Sequence, residues 1–166
     1  MRSNEAVSLS IHYVQRNDRE RLHEILVNAG VFNTDEINCA MELFDVYILK
    51  GMNPNEYIFR GAFCDQQLRA FLCFGKATLS DCLYDLYWIV TDPLYQQSGL
   101  AITLMEDVDQ CMRGLGARKI LAETSSKPIY EKAHRLYSKC GYRRAALIRD
   151  YYAVGDDLVI YEKEYH

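Results

Sequence analysis

A turn between an apolar strand and an amphipathic helix has the residue types of an anion-binding site. Residues 90–101 read VTDPLYQQSGLA, in which the small residues Ser98, Gly99 and Ala101 let a ligand approach the backbone closely. The first turn of a helix has unpaired N–H groups and a positive dipole end, and pyrophosphate is the usual guest of such a site. Small residues also serve simple helix packing, so the spacing alone leaves both interpretations open.

Other phosphate-binding patterns do not occur in this turn. It contains neither the G-x-G-x-x-G of dinucleotide sites nor the G-x-x-x-x-G-K-[ST] of nucleoside triphosphate loops. A nicotinamide or ATP site therefore has no motif support.

The segments around the turn alternate between strand and helix periodicity. Capping-box spacing predicts helix starts at Asn17, with Glu20, and at Asn33, with Glu36. A short connection at 65–67 predicts a hairpin. The order predicts an α+β sandwich, a mixed sheet with helices on its faces and a parallel pair joined through the helix after Gly99. We predict strands at 11–15, 57–64, 68–76, 82–91, 118–124, 142–150 and 158–163, and helices at 17–30, 33–51, 99–115 and 128–141.

The composition excludes several classes of protein. The chain has 166 residues, which fits one domain, and a net charge of −4, which argues against a nucleic-acid partner. No apolar run resembles a membrane span or a signal peptide, so we expect no membrane partner and a cytoplasmic location. The six cysteines lack metal-ligand spacing, so we expect reduced structural thiols and no metal site.

Two separated runs of the sequence form a pair of motifs. The runs are Gln96-x-x-Gly99-x-Ala101, preceded by Asp92-Pro93-x-Tyr95, and Ala133-x-x-Leu136-Tyr137-x-x-x-Gly141-Tyr142. They resemble motifs of the GNAT superfamily of N-acetyltransferases and occur in that family's order. The resemblance covers about residues 10–165 and implies one acetyltransferase domain over 1–166. It also implies a mostly antiparallel sheet of six or seven strands, with a central parallel pair that splays at the cofactor.

The resemblance implies acetyl-CoA as the cofactor, held mainly by backbone N–H groups. Gln97 stands where the family commonly has glycine, and Tyr130 stands where it often has asparagine. The cofactor-binding positions implied in this way are Ile89, Val90, Gln96, Gln97, Ser98, Gly99, Leu100, Ala101, Ile102 and Tyr130.

The chemistry of acetyl transfer to an amine then needs an acid and a base. The resemblance implies Tyr137 as the acid that protonates the departing thiolate, although its place on an apolar stripe also fits a core aromatic. Asp85 is our first candidate for the base and Glu123 our second. Ordered water is the alternative to both.

The acceptor implied by the resemblance is a primary amine of a small molecule or peptide. An acidic and aromatic stretch at 150–157 fits either a wall for a cationic amine or a turn. The resemblance further implies a homodimer formed through the late strands. A non-catalytic sensor that binds acyl-CoA is the alternative function, because it would have the same fold.

Overall fold

The computed structural model describes residues 8–53 and 55–166, and one seven-stranded sheet runs through this part of the chain. Its strands are Leu9–Tyr13 (β1), Tyr57–Cys64 (β2), Gln67–Lys76 (β3), Leu83–Thr91 (β4), Lys119–Ser125 (β5), Arg143–Ala153 (β6) and Asp156–Glu164 (β7). The spatial order is β1-β2-β3-β4-β5-β7-β6, and every neighbouring pair is antiparallel except β4 and β5. The predicted α+β class, with its central parallel pair, is confirmed.

Helices cover both faces of the sheet, as predicted. One core contains Leu22, Phe44 and Phe71 and lies under the first two helices, and the other contains Leu104 and Ile120 and lies under the last two. Short 3-10 turns at Arg16–Asp18, Pro93–Tyr95 and Pro128–Tyr130 precede three of the helices. The helices are Arg19–Ala29 (α1), Thr34–Lys50 (α2), Leu100–Gly114 (α3) and Glu131–Lys139 (α4).

The capping prediction is confirmed for α2 and wrong for α1. Asn33 Oδ1 accepts from the N–H of Glu36 at 2.9 Å, and Glu36 Oε2 accepts from the N–H of Asn33 at 2.8 Å. Before α1, the N–H of Gln15 donates to the carboxylate of Asp18 at 2.8 Å. This hydrogen bond satisfies the backbone N–H of Gln15, so the first helical turn begins after Gln15 and not after Asn17 as predicted.

Two turns are shorter than predicted. The β2–β3 hairpin turns on Asp65 and Gln66 alone, with φ angles of 49° and 64°, and the left-handed backbone of both residues suits a two-residue hairpin. The β6–β7 hairpin turns on Val154 and Gly155, because Ala153 already pairs with Asp156. Strands β6 and β7 therefore both extend into the stretch predicted as a turn.

A bulge in β4 shifts the side chains of its second half. Phe74 pairs with Leu86 and Cys73 pairs with Trp88, which leaves Tyr87 as an extra residue. As a result Ile89 packs with Leu86 on the α3 side of the sheet, and Trp88 packs on the α1 side. A regular strand would put Asp85, Tyr87 and Ile89 on one face, but the bulge adds a residue between them and moves Ile89 to the other face.

The parallel pair separates before either strand ends, as predicted. Pairing of β4 with β5 begins at Leu83 and Lys119 and stops at Leu86 and Ala122. Strand β4 nevertheless continues to Thr91 and β5 to Ser125. The diverging ends open a gap in the middle of the sheet.

Candidate active site

A cleft of about 1490 Å³ opens where β4 and β5 diverge. Its walls come from the second halves of both strands, the loop between α1 and α2, the first turn of α3, one side of α4 and the end of β6. All predicted site residues except Ser98 line this cleft. The topology thus brings together residues that lie up to 52 positions apart in the sequence, from Asp85 to Tyr137.

The turn before α3 presents free backbone donors to the cleft. Gly99 is the N-cap residue with a φ of 85°, and Gln97 has a φ of 65°. A Cβ on Gly99 would meet no atom within 4 Å, so open space lies in front of the turn. Within the described residues, five N–H groups of this turn have no hydrogen-bond acceptor, those of Gln97, Gly99, Leu100, Ala101 and Ile102.

Two of the predicted cofactor-binding positions use their N–H groups within the loop itself. The N–H of Ser98 donates to the carbonyl of Tyr95 at 3.3 Å, and that of Gln96 donates to Pro93 at 3.4 Å. Ser98 lies outside the cleft lining, and its hydroxyl also bonds the carbonyl of Tyr95. The side chain of Gln96 faces the cleft, where its Oε1 accepts from Lys132 Nζ at 2.7 Å.

Basic side chains on α4 line the cleft beside this turn. Lys132, Arg135 and Lys139 are exposed and recur at helical spacing on one side of the helix. Arg143 is close to them in the sequence, but it lies on β6 and pairs with Glu162 at 2.6 Å. Lys132 was not predicted, although its spacing from Arg135 and Lys139 is the pattern that reveals it.

A buried carboxylate fixes the loop that leads into α3. Asp92 is only 3% exposed, and its Oδ1 accepts from the N–H of Leu94 at 3.1 Å. Arg21 of α1 pairs with its Oδ2, and Arg69 of β3 lies 3.6 Å from the same atom. The guanidinium of Arg69 also lies over the ring of Tyr95, 4.4 Å from its centroid. These residues were missed, although a buried aspartate at a strand end requires a cationic partner.

Tyr137 presents a phenol to the cleft from a buried ring. Its ring packs against Tyr142 and Tyr161, with centroid separations of 5.7 and 5.4 Å. Burial raises the pKa of Tyr137 well above its usual range, so the phenol stays protonated at neutral pH. Its hydroxyl makes no hydrogen bond within residues 8–53 and 55–166. The ring of Tyr137 is therefore part of the core, while the side chain also lines the cleft.

A hydrogen-bonded pair that was not predicted from the sequence, His134 and Tyr161, lies next to Tyr137. His134 Nε2 lies 2.9 Å from the carbonyl oxygen of Ser125, which accepts its proton. His134 Nδ1 lies 2.8 Å from Tyr161 Oη, so in the neutral imidazole Tyr161 donates to it.

Asp85 and Glu123 face the cleft from the two diverging strands. Asp85 pairs in register with Leu121, so Glu123 lies two residues further along β5 on the same face. Burial raises the pKa of Asp85, and the negative charge of Glu123 raises it further. Such a shift suits a proton acceptor that works near neutral pH.

Ile89 and Val90 lie on β4 beyond the last residue paired with β5. Their side chains belong to opposite cores, Ile89 on the α3 side and Val90 on the α1 side. Because pairing with β5 stops at Leu86, the backbone of both residues borders the gap.

Tyr130 reaches the opposite wall of the cleft. Its hydroxyl lies 3.4 Å from the carbonyl oxygen of Val31 and 3.4 Å from Glu36 Oε1. Burial and the nearby charge of Glu36 raise the pKa of Tyr130, which keeps it a donor. The residue predicted to border the cofactor thus also connects α4 to the α1–α2 loop.

Comparison with known proteins assigns this arrangement to a family. Residues 57–144, slightly more than half of the chain, match the family model described as an acetyltransferase (GNAT) domain. The chain belongs to the GNAT acetyltransferase family. A solved GNAT relative from Desulfovibrio desulfuricans is 31% identical, with a TM-score of 0.87 over 96% of this chain and 99% of that one.

Two further GNAT-like structures share the fold at lower identity. An acetyltransferase structure from Salmonella typhimurium with its cofactor acetyl-CoA is 16% identical, with a TM-score of 0.72 over 94% of this chain and 93% of that chain. An N-acetyltransferase from Thermoplasma acidophilum in complex with coenzyme A is 20% identical, with a TM-score of 0.73 over 95% and 99% of the two chains. The comparison with curated proteins gives no match.

The described residues contain neither a membrane-spanning helix nor a metal-ligand cluster. No helix among them is long and apolar enough to cross a membrane. They also contain no group of three or more His, Cys, Asp or Glu side chains arranged to hold a metal ion.

Proposed function

We propose that this GNAT protein is an acetyl-CoA-dependent N-acetyltransferase that acetylates a primary amine of a small molecule or peptide. One observation carries the proposal: free N–H groups at the Gly99 turn, the protonated phenol of Tyr137 and the carboxylate of Asp85 all line one cleft. Donors for an anion, an acid and a base are the parts that this reaction needs.

The residues at the turn fit coenzyme A. Five N–H groups without acceptors and the open space before Gly99 suit a pyrophosphate, which would otherwise need paired cations. Lys132, Arg135 and Lys139 add positive charge on the adjoining wall, where phosphate groups would be stabilised. The gap beside Ile89 and Val90 would give the thin, uncharged arm of coenzyme A access to the middle of the sheet.

Bound acetyl-CoA supplies a thioester, whose acetyl carbon bonds to the amine nitrogen as the carbon–sulfur bond breaks. Asp85 is the proposed acceptor of the amine proton, with Glu123 or ordered water as the other candidates. Tyr137 holds the proton that the departing sulfur takes up. A backbone N–H at Ile89 or Val90 is proposed to polarise the thioester carbonyl.

Three further properties belong to the same proposal. The chain is one acetyltransferase domain, and a cytoplasmic location fits its six cysteines, all free in the part of the chain that the structure describes. A homodimer is proposed through β6, an edge strand exposed along its length with Leu147, Ile148 and Tyr151 uncovered. Sedimentation of an Ile148→Lys variant as a monomer and of the unaltered protein as a dimer is the expected result.

Titration calorimetry with acetyl-CoA, followed by thiol release with a panel of amines, tests the function. Gly99→Glu should abolish binding because a carboxylate would repel the pyrophosphate. Gly116→Glu is the matched control, since Gly116 lies beyond the other end of α3 with a φ of 65° and open space around it. Equal losses in both variants, or no binding by the unaltered protein, would refute the proposed turn.

The calorimetric result also separates an enzyme from a sensor. Saturable binding together with amine-dependent thiol release supports the transferase. Saturable binding with no release for any amine would instead favour the non-catalytic acyl-CoA sensor.

A further inference from the structure

The acceptor half of the cleft is both acidic and aromatic. We name as the acceptor wall six acidic or aromatic lining residues around the diverging strands, in the loop between α1 and α2 and at the end of β6. None of the six is cationic, and Lys127, which lines the cleft outside α4, is paired with Asp156. The acceptor wall consists of Phe32, Asp85, Tyr87, Trp88, Glu123 and Tyr152.

Two other carboxylates in the cleft already have partners. Asp156 lies 3.0 Å from Lys127 Nζ and accepts from the hydroxyl of Ser125. Glu36 accepts from the N–H of Asn33 at 2.8 Å and so belongs to the cap of α2. The charge of Asp156 is therefore balanced by Lys127, and Glu36 is held at the start of α2.

Asp85 and Glu123 have no such partners. Within residues 8–53 and 55–166 neither carboxylate takes part in a salt bridge or accepts a hydrogen bond. Two unpaired like charges beside aromatic rings are costly, and a cation that enters between them removes that cost.

The basic residues that α4 contributes to the cleft belong to its other half, and Lys127, which also lines the cleft, is paired with Asp156. Lys132 donates to Gln96 on the cofactor turn, and Arg135 pairs with Glu131 at 3.0 Å along α4. Lys139 lies one to two turns further along the same helix. Positive charge therefore collects at the proposed cofactor side and negative charge at the acceptor wall.

Aromatic faces add a second attraction for cations at the acceptor wall. Trp88 contacts Phe32 edge to face, with ring centroids 5.3 Å apart. Partial burial raises the pKa of Tyr87 and of Tyr152 to about 12, so both rings stay neutral, and the charge of Glu123 contributes to both shifts. Neutral aromatic faces beside carboxylates are a preferred setting for ammonium groups.

The two free carboxylates lie at different depths in the cleft. Asp85 is in register with Leu121, and Glu123 follows two residues later on a strand that is already turning away. Standard strand spacing puts their Cα atoms about 8 Å apart or more. A ligand that satisfies both needs two positive charges separated by a short chain.

We propose that the acceptor is a small alkyl diamine with two positive charges, a substrate class that deepens the transferase function proposed above and rests on it. One nitrogen reacts beside Asp85. The second remains an ammonium held by Glu123 and the face of Tyr152.

A matched series of amines tests the proposal by changing only the remote group. Putrescine, 4-aminobutanol and γ-aminobutyrate present a cation, a neutral hydroxyl and an anion at the same chain length, and n-butylamine presents a methyl group. At saturating acetyl-CoA, kcat/KM for putrescine should exceed that for the neutral amines at least tenfold, and γ-aminobutyrate should be poorest. Equal values for putrescine and n-butylamine, or turnover of peptide N-termini alone, would overturn the diamine assignment.

A variant then tests the role of Glu123 in that preference. Glu123→Gln should lower the ratio of kcat/KM for putrescine to that for n-butylamine about tenfold, because only the diamine loses an ion pair. Glu106→Gln is the control, since Glu106 is an exposed residue of α3 outside the cleft, and it should leave the ratio unchanged. An unchanged ratio in Glu123→Gln would refute its role.

Calorimetry of putrescine against the protein saturated with coenzyme A gives a readout that needs no turnover. Putrescine binding that weakens in Glu123→Gln supports the diamine site even where no amine is acetylated, an outcome that would refute only the transferase. Acetylation of all amines at similar rates, without measurable putrescine binding, would refute only the diamine site.

Discussion

His134 and Tyr161 form a hydrogen bond behind the proposed acid, with 2.8 Å between Nδ1 and Oη. The bond fixes the ring of Tyr161, and that ring packs on Tyr137. The imidazole is in turn fixed by the carbonyl of Ser125 at the end of β5. We therefore expect Tyr161 to be a positioning residue, one contact away from the proposed acid.

Removing the Tyr161 hydroxyl should break the hydrogen bond to His134 but keep the ring that packs on Tyr137. For Tyr161→Phe we expect kcat to fall several-fold, with KM for acetyl-CoA unchanged, because the ring of Tyr137 keeps its partner but gains freedom. Tyr165→Phe is the matched control, since Tyr165 donates to Asp109 at 2.7 Å outside the cleft. Equal losses of kcat in the two variants would mean that stability alone is responsible.

Removing the Tyr137 hydroxyl should affect catalysis far more than folding. We expect Tyr137→Phe to lower kcat by about 100-fold, the lower range for a lost general acid, with acetyl-CoA binding intact. Thermal stability should hold, because the hydroxyl has no partner among the described residues to lose. Steady-state kinetics with calorimetry and thermal unfolding measure all three quantities, and a kcat within threefold of the unaltered protein would exclude the acid role.

The raised pKa of Tyr137 also predicts the alkaline side of the rate profile. The acid works only while protonated, and burial moves its loss of the proton above the ordinary tyrosine value of about 10. The rate kcat should therefore not decline through Tyr137 below about pH 10. A decline near pH 8 in the unaltered protein that is absent from Tyr137→Phe would contradict this assignment.

Asp85 should cost stability at the pH where it supports activity. Its pKa is raised on folding, first by burial and then by Glu123, so the folded state ionises less readily than the unfolded chain. The penalty grows as the pH rises above the unfolded value of about 3.9 and is complete above the folded value. Asp85→Asn should thus raise Tm at pH 7 by roughly a few degrees, and the gain should vanish near pH 4.

The same substitution should reduce kcat/KM if Asp85 is the base, and the acidic limb of the profile should disappear with it. Asp81→Asn is the control for stability, because the side chain of Asp81 is 85% exposed. A gain in Tm at pH 4 as large as that at pH 7 would show that the effect is not one of charge.

The ion pair of Arg60 and Asp107 fastens α3 to the sheet. Its two hydrogen bonds are both 2.7 Å long, and the side chains are 12% and 16% exposed. Asp107→Asn should lower the free energy of unfolding by about 3 kcal/mol, since it leaves a buried guanidinium without its charge partner. The double variant Arg60→Met with Asp107→Leu should recover most of the loss in urea unfolding, and additive losses would refute a coupled pair.

Local patterns in the sequence predicted what depends on local physics. The cap of α2 and the stop of α1 at Gly30 need only nearby residues, and the Gly99 turn needs only a helix start after a strand. The parallel pair followed from the crossover through α3. These features depend on backbone donors and on periodicity, both of which a single segment displays.

Features that depend on distant partners could not be predicted in the same way. The bulge at Tyr87 reflects a shift in register between β3 and β4, and the sequence of β4 alone does not predict that shift. Arg21 joins Asp92 across 71 positions, and His134 meets Tyr161 across 27. Cys140 is three residues from Tyr137 in the sequence yet does not line the cleft, because the packing of α4 on the sheet decides which side chains reach it.

The separated strands make the sheet incomplete in the free protein. Beyond Leu86 and Ala122 the facing edges of β4 and β5 do not pair with each other, so the middle of the sheet lacks part of its backbone hydrogen bonding. A ligand that fills the gap binds only the folded chain, and at 100 times its Kd it adds about 2.7 kcal/mol to stability. The abundance of such a ligand would then govern how long the protein survives in the cell, in addition to how fast it works.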